Sequence, residues 1–320
     1  MFDKMQYVYE VYREMSFSRA AKNLFISQPS LSCAVKKVED EIGFPIFDRT
    51  TNPIRLTELG RKYIHTAEQI MALESGFRNY LDDIEALSFG TLSLGATTLY
   101  ASHILPPLLA RFTRRYPSVH IDLIEDSSSD LTAELSSGAL DLLIENTELD
   151  PLLYEKKFYC HEQILLAVPR SFACNAALQR YALSADDIKR GLHTEDRTPA
   201  VPLHALADEP FLLLKSGNDT RLRADRICRE AELIPNIRLE VAQQMTSYNL
   251  TCHGMGISFI GDLMVKNVES DPSLLFYRLQ GTGAQRDVCF FYRRNRYISH
   301  AIRAFLSLLE QTVSHESSAV

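Results

Sequence analysis

One stretch, residues 16–60, constrains the fold more than any other part of the chain. It reads SFSRAAKNLFISQPSLSCAVKKVEDEIGFPIFDRTTNPIRLTELG. Ser18 is placed to cap a short helix carrying residues 19–24, whose adjacent Ala20 and Ala21 let a second helix approach closely. Ile26 and Ser27 make a tight connection, and Pro29 falls in the first turn of the next helix, where its missing N–H costs nothing. In that helix Leu31, Ala34, Val35, Val38 and Ile42 share one face at helical spacing, and Gly43 ends it. The opposite face presents Gln28, Pro29, Ser32, Cys33 and Lys36.

Short polar groups at the amino end, with a cation one turn on, are what a DNA recognition helix needs. That end enters the major groove, about 12 Å wide, where polar side chains meet base edges. Residues 47–49 and 53–57 then form two short strands around Thr50-Thr51-Asn52, a basic wing that would lie against the sugar-phosphate backbone. By spacing alone an ordinary helical hairpin stays open, with Lys36, Lys37, Arg49 and Arg55 merely a solvated face.

The pattern SxxxAAxxLxxSQPxxSxxVxxxExxxGxxxFxRxxxxxxLTxxG closely resembles the winged helix-turn-helix of LysR-type transcriptional regulators. The match is dense over residues 2–65 and decides between the two readings. Cys33 departs from it, standing where that family often carries an Arg or Gln that reaches DNA, and a thiol is a weak hydrogen-bonding group. We expect Gln28, Pro29, Ser30, Ser32 and Cys33 to face base edges, and Lys36, Arg49, Asn52 and Arg55 to hold phosphates.

After the wing, Thr57 and Glu58 start a long helix running to about Leu87. Leu59, Tyr63, Thr66, Ile70, Leu73, Phe77, Tyr80, Ile84 and Leu87 recur at four-and-three spacing, with Thr66 the one polar member. Such a seam suits a coiled-coil contact, and with no obvious neighbour in this chain it favours a second copy. In the resembled family this helix links and pairs two DNA-binding domains, and two such dimers join as a tetramer. The expected division is therefore 1–58 for the winged helix-turn-helix, 59–88 for the linker and 89–320 for an effector-binding domain.

That last domain reads as α/β. Strands at 91–96, 119–125 and 140–144 alternate with helices at 104–116 and 131–137, which predicts a mostly parallel sheet covered on both faces. Residues 152–159 cross to a second lobe that opens with a strand at 164–168. There strands at 211–214, 237–241 and 257–260 alternate with helices at 221–232 and 245–252. A strand at 274–279 is expected to return to the first lobe, a strand at 288–293 to extend it, and a helix at 298–311 to close it. This puts lobe I at 90–161 and 272–313 and lobe II at 162–270, with a disordered tail from Ser314. The clamshell is similar to periplasmic solute-binding proteins and to LysR-type effector domains, and GMGISFI is similar to a late glycine-strand signature of the family. Residues 171–209 are longer than that connection usually is and read as an extension of the second lobe.

In open α/β lobes, ligands sit beyond the carboxyl ends of the strands. Thr97, Thr98, Ser127, Ser128 and Asn146 follow strands of the first lobe; Ser216, Asn218 and Thr246 follow strands of the second. Hydroxyls and amides at helix amino ends suit a small anionic metabolite, although each alone is also an ordinary cap.

Composition bounds the rest. The net charge of −7 divides into +2 over residues 1–62 and −9 over the remainder, so cations gather where DNA is expected. No apolar run spans a bilayer, and the amino-terminal residues read as an acid-containing amphipathic helix rather than a signal peptide, so a cytoplasmic location is expected. Six cysteines without a CxxC pair fit reduced thiols. Cys252 and His253 are adjacent, but neighbours on a helix point about 100° apart. HExxH, GxGxxG and phosphate-loop motifs are missing, and no enzyme, cofactor or metal is expected. The competing reading is a cytoplasmic solute-binding module without gene-regulatory activity.

Overall fold

A computed structural model of the chain describes residues 2–51, 53–85, 90–269, 271–294 and 296–317. Asn52, Leu87 and residues 318–320 lie outside these, as do the side chains of Tyr80 and Ile84. Three helices lead: α1 (Met5–Glu14), α2 (Phe17–Asn23) and α3 (Gln28–Ile42). The cap of α2 is Ser16 rather than Ser18, its hydroxyl accepting the Arg19 N–H at 3.4 Å. Met15 takes a left-handed φ of 45°, which ends α1 and turns the chain into α2. Ser27 caps α3 by accepting the Ser30 N–H at 3.3 Å, and Gly43, at φ 84°, terminates it. Val8, Val11, Ala20, Leu31, Val35 and Val38 close a core with Ile46 and Phe47.

The wing pairs β1 (Phe47–Asp48) with β2 (Arg55–Leu56), Phe47 opposite Leu56. Glu39 of α3 fastens it by accepting the Ile46 and Phe47 N–H groups at 2.8 and 3.2 Å. Helix α4 (Glu58–Glu85) follows, capped by Thr57, whose hydroxyl accepts the Gly60 N–H at 2.9 Å. A Cβ on Gly60 would fall 2.1 Å from the Ile46 carbonyl oxygen, so the helix can meet the wing this closely only through glycine.

The expected seam on α4 divides. Leu59, Tyr63 and Ile70 pack into the chain's own amino-terminal core, while Leu73 and Phe77 stay 70% and 62% exposed. Ile64, Ala67 and Ala72, which lie off the expected seam, are buried instead, so the pattern gives the helix but only part of the face it buries, and α1 supplies a neighbour for the first half.

The remaining elements build two lobes. Lobe I holds β3 (Thr91–Ala96), α5 (Leu105–Arg115), β4 (His120–Glu125), α6 (Ser128–Ser137) and β5 (Leu142–Glu145). A π-type turn over Tyr100–Ile104 leads into α5, four residues earlier than the sequence suggests. The strand β6 (Tyr154–Pro169) carries the chain across, and lobe II adds β7 (Ala182–Leu183), α7 (Ala185–Lys189), β8 (Pro210–Leu214) and α8 (Asp219–Glu230). It continues through β9 (Asn236–Val241), α9 (Gln244–Cys252), β10 (Ile257–Gly261), α10 (Asp262–Asn267) and β11 (Leu274–Arg278). Finally β12 (Gln285–Arg293) crosses back and α11 (His300–Ser317) covers lobe I.

The strands run in the order β4-β3-β5-β12-β6-β10-β8-β9, with β11 and β7 attached beside β6. Pairing is parallel within each lobe (β4, β3, β5 and β9, β8, β10) and antiparallel at β6 and β12. The first part of β6 pairs with β12 up to Gln163, and from Ile164 onward it pairs with β10 and β11. Leu94, Phe112, Ile144, Phe290 and Phe305 anchor the lobe I core; Leu166, Phe211, Ile227 and Phe259 anchor that of lobe II.

Two expectations are corrected here, the return strand and the tail. The strand near 274–279 does not return to lobe I: β11 pairs with Leu165–Pro169 of β6, and Tyr277 and Leu279 join the lobe II core. The return comes at β12, where the Ala284 carbonyl accepts the Ile164 N–H at 2.7 Å. An amphipathic strand carries no local mark of which sheet it joins, so a boundary at 270–272 falls too early. The tail is helical through Ser317 rather than disordered from Ser314. Residues 171–209, expected as an extension, complete the outer face of lobe II: β7 pairs with β11, Ile188 enters the core, and His193 Nε2 meets Asp262 Oδ2 at 2.8 Å.

Candidate DNA interface and effector cleft

On α3 the inward face is fixed by Leu31, Val35 and Val38, which turns Gln28, Pro29, Ser30, Cys33 and Lys36 to solvent and leaves Ser32 half-buried. The Ser27 and Ser30 hydroxyls share a hydrogen bond of 2.7 Å, so Ser30 is held by the cap. Arg55 is exposed on the wing. Arg49 is braced: it pairs with Glu39 at 2.8 Å, donates to Ser32 Oγ at 3.4 Å and lies over the Phe17 ring at 4.8 Å. Asp48 accepts from both the Thr50 N–H and hydroxyl, at 2.9 and 2.6 Å, and these bonds hold its carboxyl below the usual range. Glu39 is the residue here that sequence reasoning missed; its position three residues before the helix end, ahead of a buried Ile-Phe pair, was the available signal.

A second site lies between the lobes, a partly open space of about 40 Å³. That is room for about three water molecules. Thr97, Ser128, Asn146 and Asn218 line it, together with Tyr100, Glu145, Asp219, Gln244 and Arg286. Thr98, Ser127, Ser216 and Thr246 do not. Thr98 donates to Glu125 at 2.6 Å, Ser127 caps α6 through the Asp130 N–H at 3.3 Å, and Ser216 and Thr246 are exposed. The charged members were missed because they sit inside strands and at a helix start, where only tertiary convergence brings them together.

Arg286, on the crossing strand β12, forms the floor and is 4% exposed. It donates to Glu162 on β6 at 2.6 Å, and to Asp219 and Thr220 at the start of α8 at 2.8 and 2.9 Å. Burial opposes its charge, but Glu162, Tyr100 and Asp219 outweigh it and keep the guanidinium protonated. Burial likewise pushes the Glu162 carboxyl up, against the pull of Arg286. Asp219 is shared with Arg223 at 2.7 Å. On the lobe I wall, Asn146 donates to the Tyr100 hydroxyl at 2.8 Å. Glu145 is 2% exposed; its Oε1 accepts the Asn146 N–H at 2.8 Å, while Oε2 is buried without a partner. On the opposite wall Gln244 Nε2 is also buried and unbonded, and the Gln243 side chain leaves the amino end of α9 uncapped.

The cleft is physically joined to the amino-terminal domain. The helix α6 starts at the cleft with Ser128, and its far half meets the amino-terminal domain. There the Tyr9 hydroxyl donates to the Ala133 carbonyl at 3.1 Å, Arg13 and Glu134 lie 3.8 Å apart, and Ser136 donates to Glu68 of α4 at 3.4 Å. Burial pushes the Glu68 carboxyl up, with Ser136 and Arg293 acting against it.

Among the described residues no helix is long and apolar enough to cross a membrane. Residues 2–61 match the bacterial regulatory helix-turn-helix proteins of the lysR family, and residues 86–314 match the LysR substrate binding domain. The uncharacterized HTH-type transcriptional regulator YcgK of Bacillus subtilis strain 168 is 29% identical, over 97% of this chain and 94% of that protein. A full-length cysteine-to-aspartate variant of OxyR from Pseudomonas aeruginosa superposes with a TM-score of 0.60 at 22% identity, covering 97% of this chain and 94% of that one. Full-length CbnR complexed with its target DNA gives 0.56 at 18% identity, covering 98% and 99%. At those identities the two structures speak for the fold alone.

Proposed function

This chain belongs to the LysR-type family of transcriptional regulators, and from that premise we propose how its two sites work. It is a sequence-specific DNA-binding regulator with an effector-binding α/β domain, not an enzyme. The observation that carries the DNA reading is the split of α3 into a buried aliphatic face and an exposed polar amino end. In this reading Gln28, Pro29, Ser30, Ser32 and Cys33 read base edges, and Lys36, Arg55 and Asn52 hold phosphates; Arg49 acts chiefly by bracing the wing. The division at 1–58, 59–88 and onward serves this reading, with the second lobe taken to about residue 284.

The effector is a small metabolite bound between the lobes, with an anionic group set toward the uncapped amino end of α9. Thr97, Ser128, Asn146 and Asn218 supply hydrogen bonds to it. Two copies pair through α4, and the support is the exposed Leu73 and Phe77 beside exposed Leu152 on the same groove. Paired recognition helices then read a two-fold site with half-site centres about 34–36 Å apart. Exposed Leu123 on β4 and Ile237 and Leu239 on β9 support joining of dimers into a tetramer through the effector domains. A gel shift on DNA upstream of the protein's own gene tests the reading. A specific complex whose affinity or mobility changes with a bound metabolite supports it, and binding indifferent to sequence overturns it.

A further inference from the structure

Among the described residues lining the cleft, every charged group has an ionic partner except one. Arg286 is held by Glu162 and Asp219, and Asp219 is shared with Arg223. Glu145 has only the Asn146 N–H on one oxygen, and its other oxygen is buried, unbonded and on the wall of the space between the lobes. A carboxylate 2% exposed and without a counter-ion is costly, and a buried polar atom left unbonded in a native structure calls for a partner or a functional role. A water molecule would supply a hydrogen bond but no charge. A metal ion is disfavoured, because the described residues gather no group of three or more His, Cys, Asp and Glu around it. The single cation on the floor, Arg286, is already matched by carboxylates, so the cleft offers a simple anion no free positive side chain.

From this we infer that the effector carries an ammonium group, which docks on Glu145 Oε2 from the lobe I side, and is therefore an amino-acid-like zwitterion rather than a plain anion. The inference rests on the cleft being the effector site. The carboxylate end is taken by lobe II, where the amino end of α9 lacks a side-chain cap and Gln244 Nε2 lies buried without an acceptor. One ligand thereby satisfies an acceptor on one lobe and a donor on the other, and this draws the lobes together. Charge sign selects the ligand: a 2-hydroxy acid of the same skeleton would place a neutral hydroxyl against a buried carboxylate, and a dicarboxylate would place like charge there.

The test follows thermal unfolding of the full-length protein with each standard L-amino acid, and with the 2-hydroxy acid and the N-acetyl derivative of the same skeleton as matched probes. At least one amino acid is expected to raise the melting temperature saturably, with both matched probes weaker by about 10- to 150-fold, the range for a charged hydrogen bond. Glu145→Gln is expected to weaken that amino acid by a similar factor. Glu148→Gln, which removes the same charge from an exposed pair with Lys156, is expected to leave it unchanged. Should Glu145→Gln fail to fold, the matched probes on the unaltered protein decide. Equal stabilisation by amino acid and hydroxy acid, unchanged binding in Glu145→Gln, or no stabilisation by any amino acid at 10 mM, taken as roughly the weak end of metabolite affinities, overturns the inference. Met245→Trp, which fills the cleft, separates the two levels: hydroxy-acid binding lost in this variant leaves the cleft reading standing, whereas ligand binding that survives it removes both.

Discussion

The recognition surface and the effector cleft solve opposite problems with similar side chains. On α3 the polar groups face water and bond little among themselves, so DNA finds donors and acceptors that were never withdrawn from solvent. In the cleft the charged groups of the floor are committed to one another, through Arg286, Glu162, Asp219 and Thr220. The first site can lose a residue and lose affinity or specificity while the fold stands. The second is part of the scaffold, since the same guanidinium ties both crossing strands to the start of α8. Function at the surface is separable from folding, and in the cleft it is not.

Mutations can break or sharpen that contrast. The largest effect is expected from Arg286→Ala, which strands the buried Glu162 and should cost about 3–5 kcal/mol in urea unfolding. Arg49→Ala removes an ion pair too, but one 40% exposed on the arginine side, and should cost at most about 1 kcal/mol. If the two losses were equal, the contrast would collapse. Next, Ser32→Ala should relax choice among operators by about 1–3 kcal/mol at one base pair, read by competition between operator variants. Arg55→Ala should weaken all DNA alike and reduce the log–log salt slope by about 0.9; an unchanged slope would remove Arg55 from the phosphate contacts. The smallest effect is expected from Thr246→Val, an exposed residue outside the cleft, within about 0.5 kcal/mol of stability and with the effector response intact. A lost response would return that position to the ligand site.

The same contrast explains what could be read from the sequence. Recognition residues lie on one helix, and helical period assigns each to a face, so Gln28 and Leu31 separate without any knowledge of the rest of the chain. Alternating α and β texture likewise gave both lobes and most of their elements. Cleft residues come from β5, β12 and the starts of α8 and α9, and no local pattern distinguishes Glu145 from any other strand-end acid. Residues following a strand were the only available guide. They led to Thr97, Ser128, Asn146 and Asn218, and equally to Thr98 and Ser127, which serve other bonds. The seam on α4 shows the same limit, since Tyr63 packs into the core of its own domain while Phe77 stays exposed at the same period.

The helix α6 gives this separation a limit of its own. It borders the cleft at Ser128 and touches α1 and α4 at Ala133, Glu134 and Ser136, so one rigid element links the cleft to the domain that carries α3. A displacement of α6 at Ser128 would therefore reach Tyr9 and Arg13, and one imposed at those residues would reach Ser128. Linkage makes the exchange symmetric: whatever factor the effector applies to operator affinity, the operator applies to effector affinity, for about 1–3 kcal/mol in typical cases. Where α6 couples the two, the promoter acts as a ligand of the sensing domain, and sensitivity to the effector is then set partly by the DNA on which the protein sits.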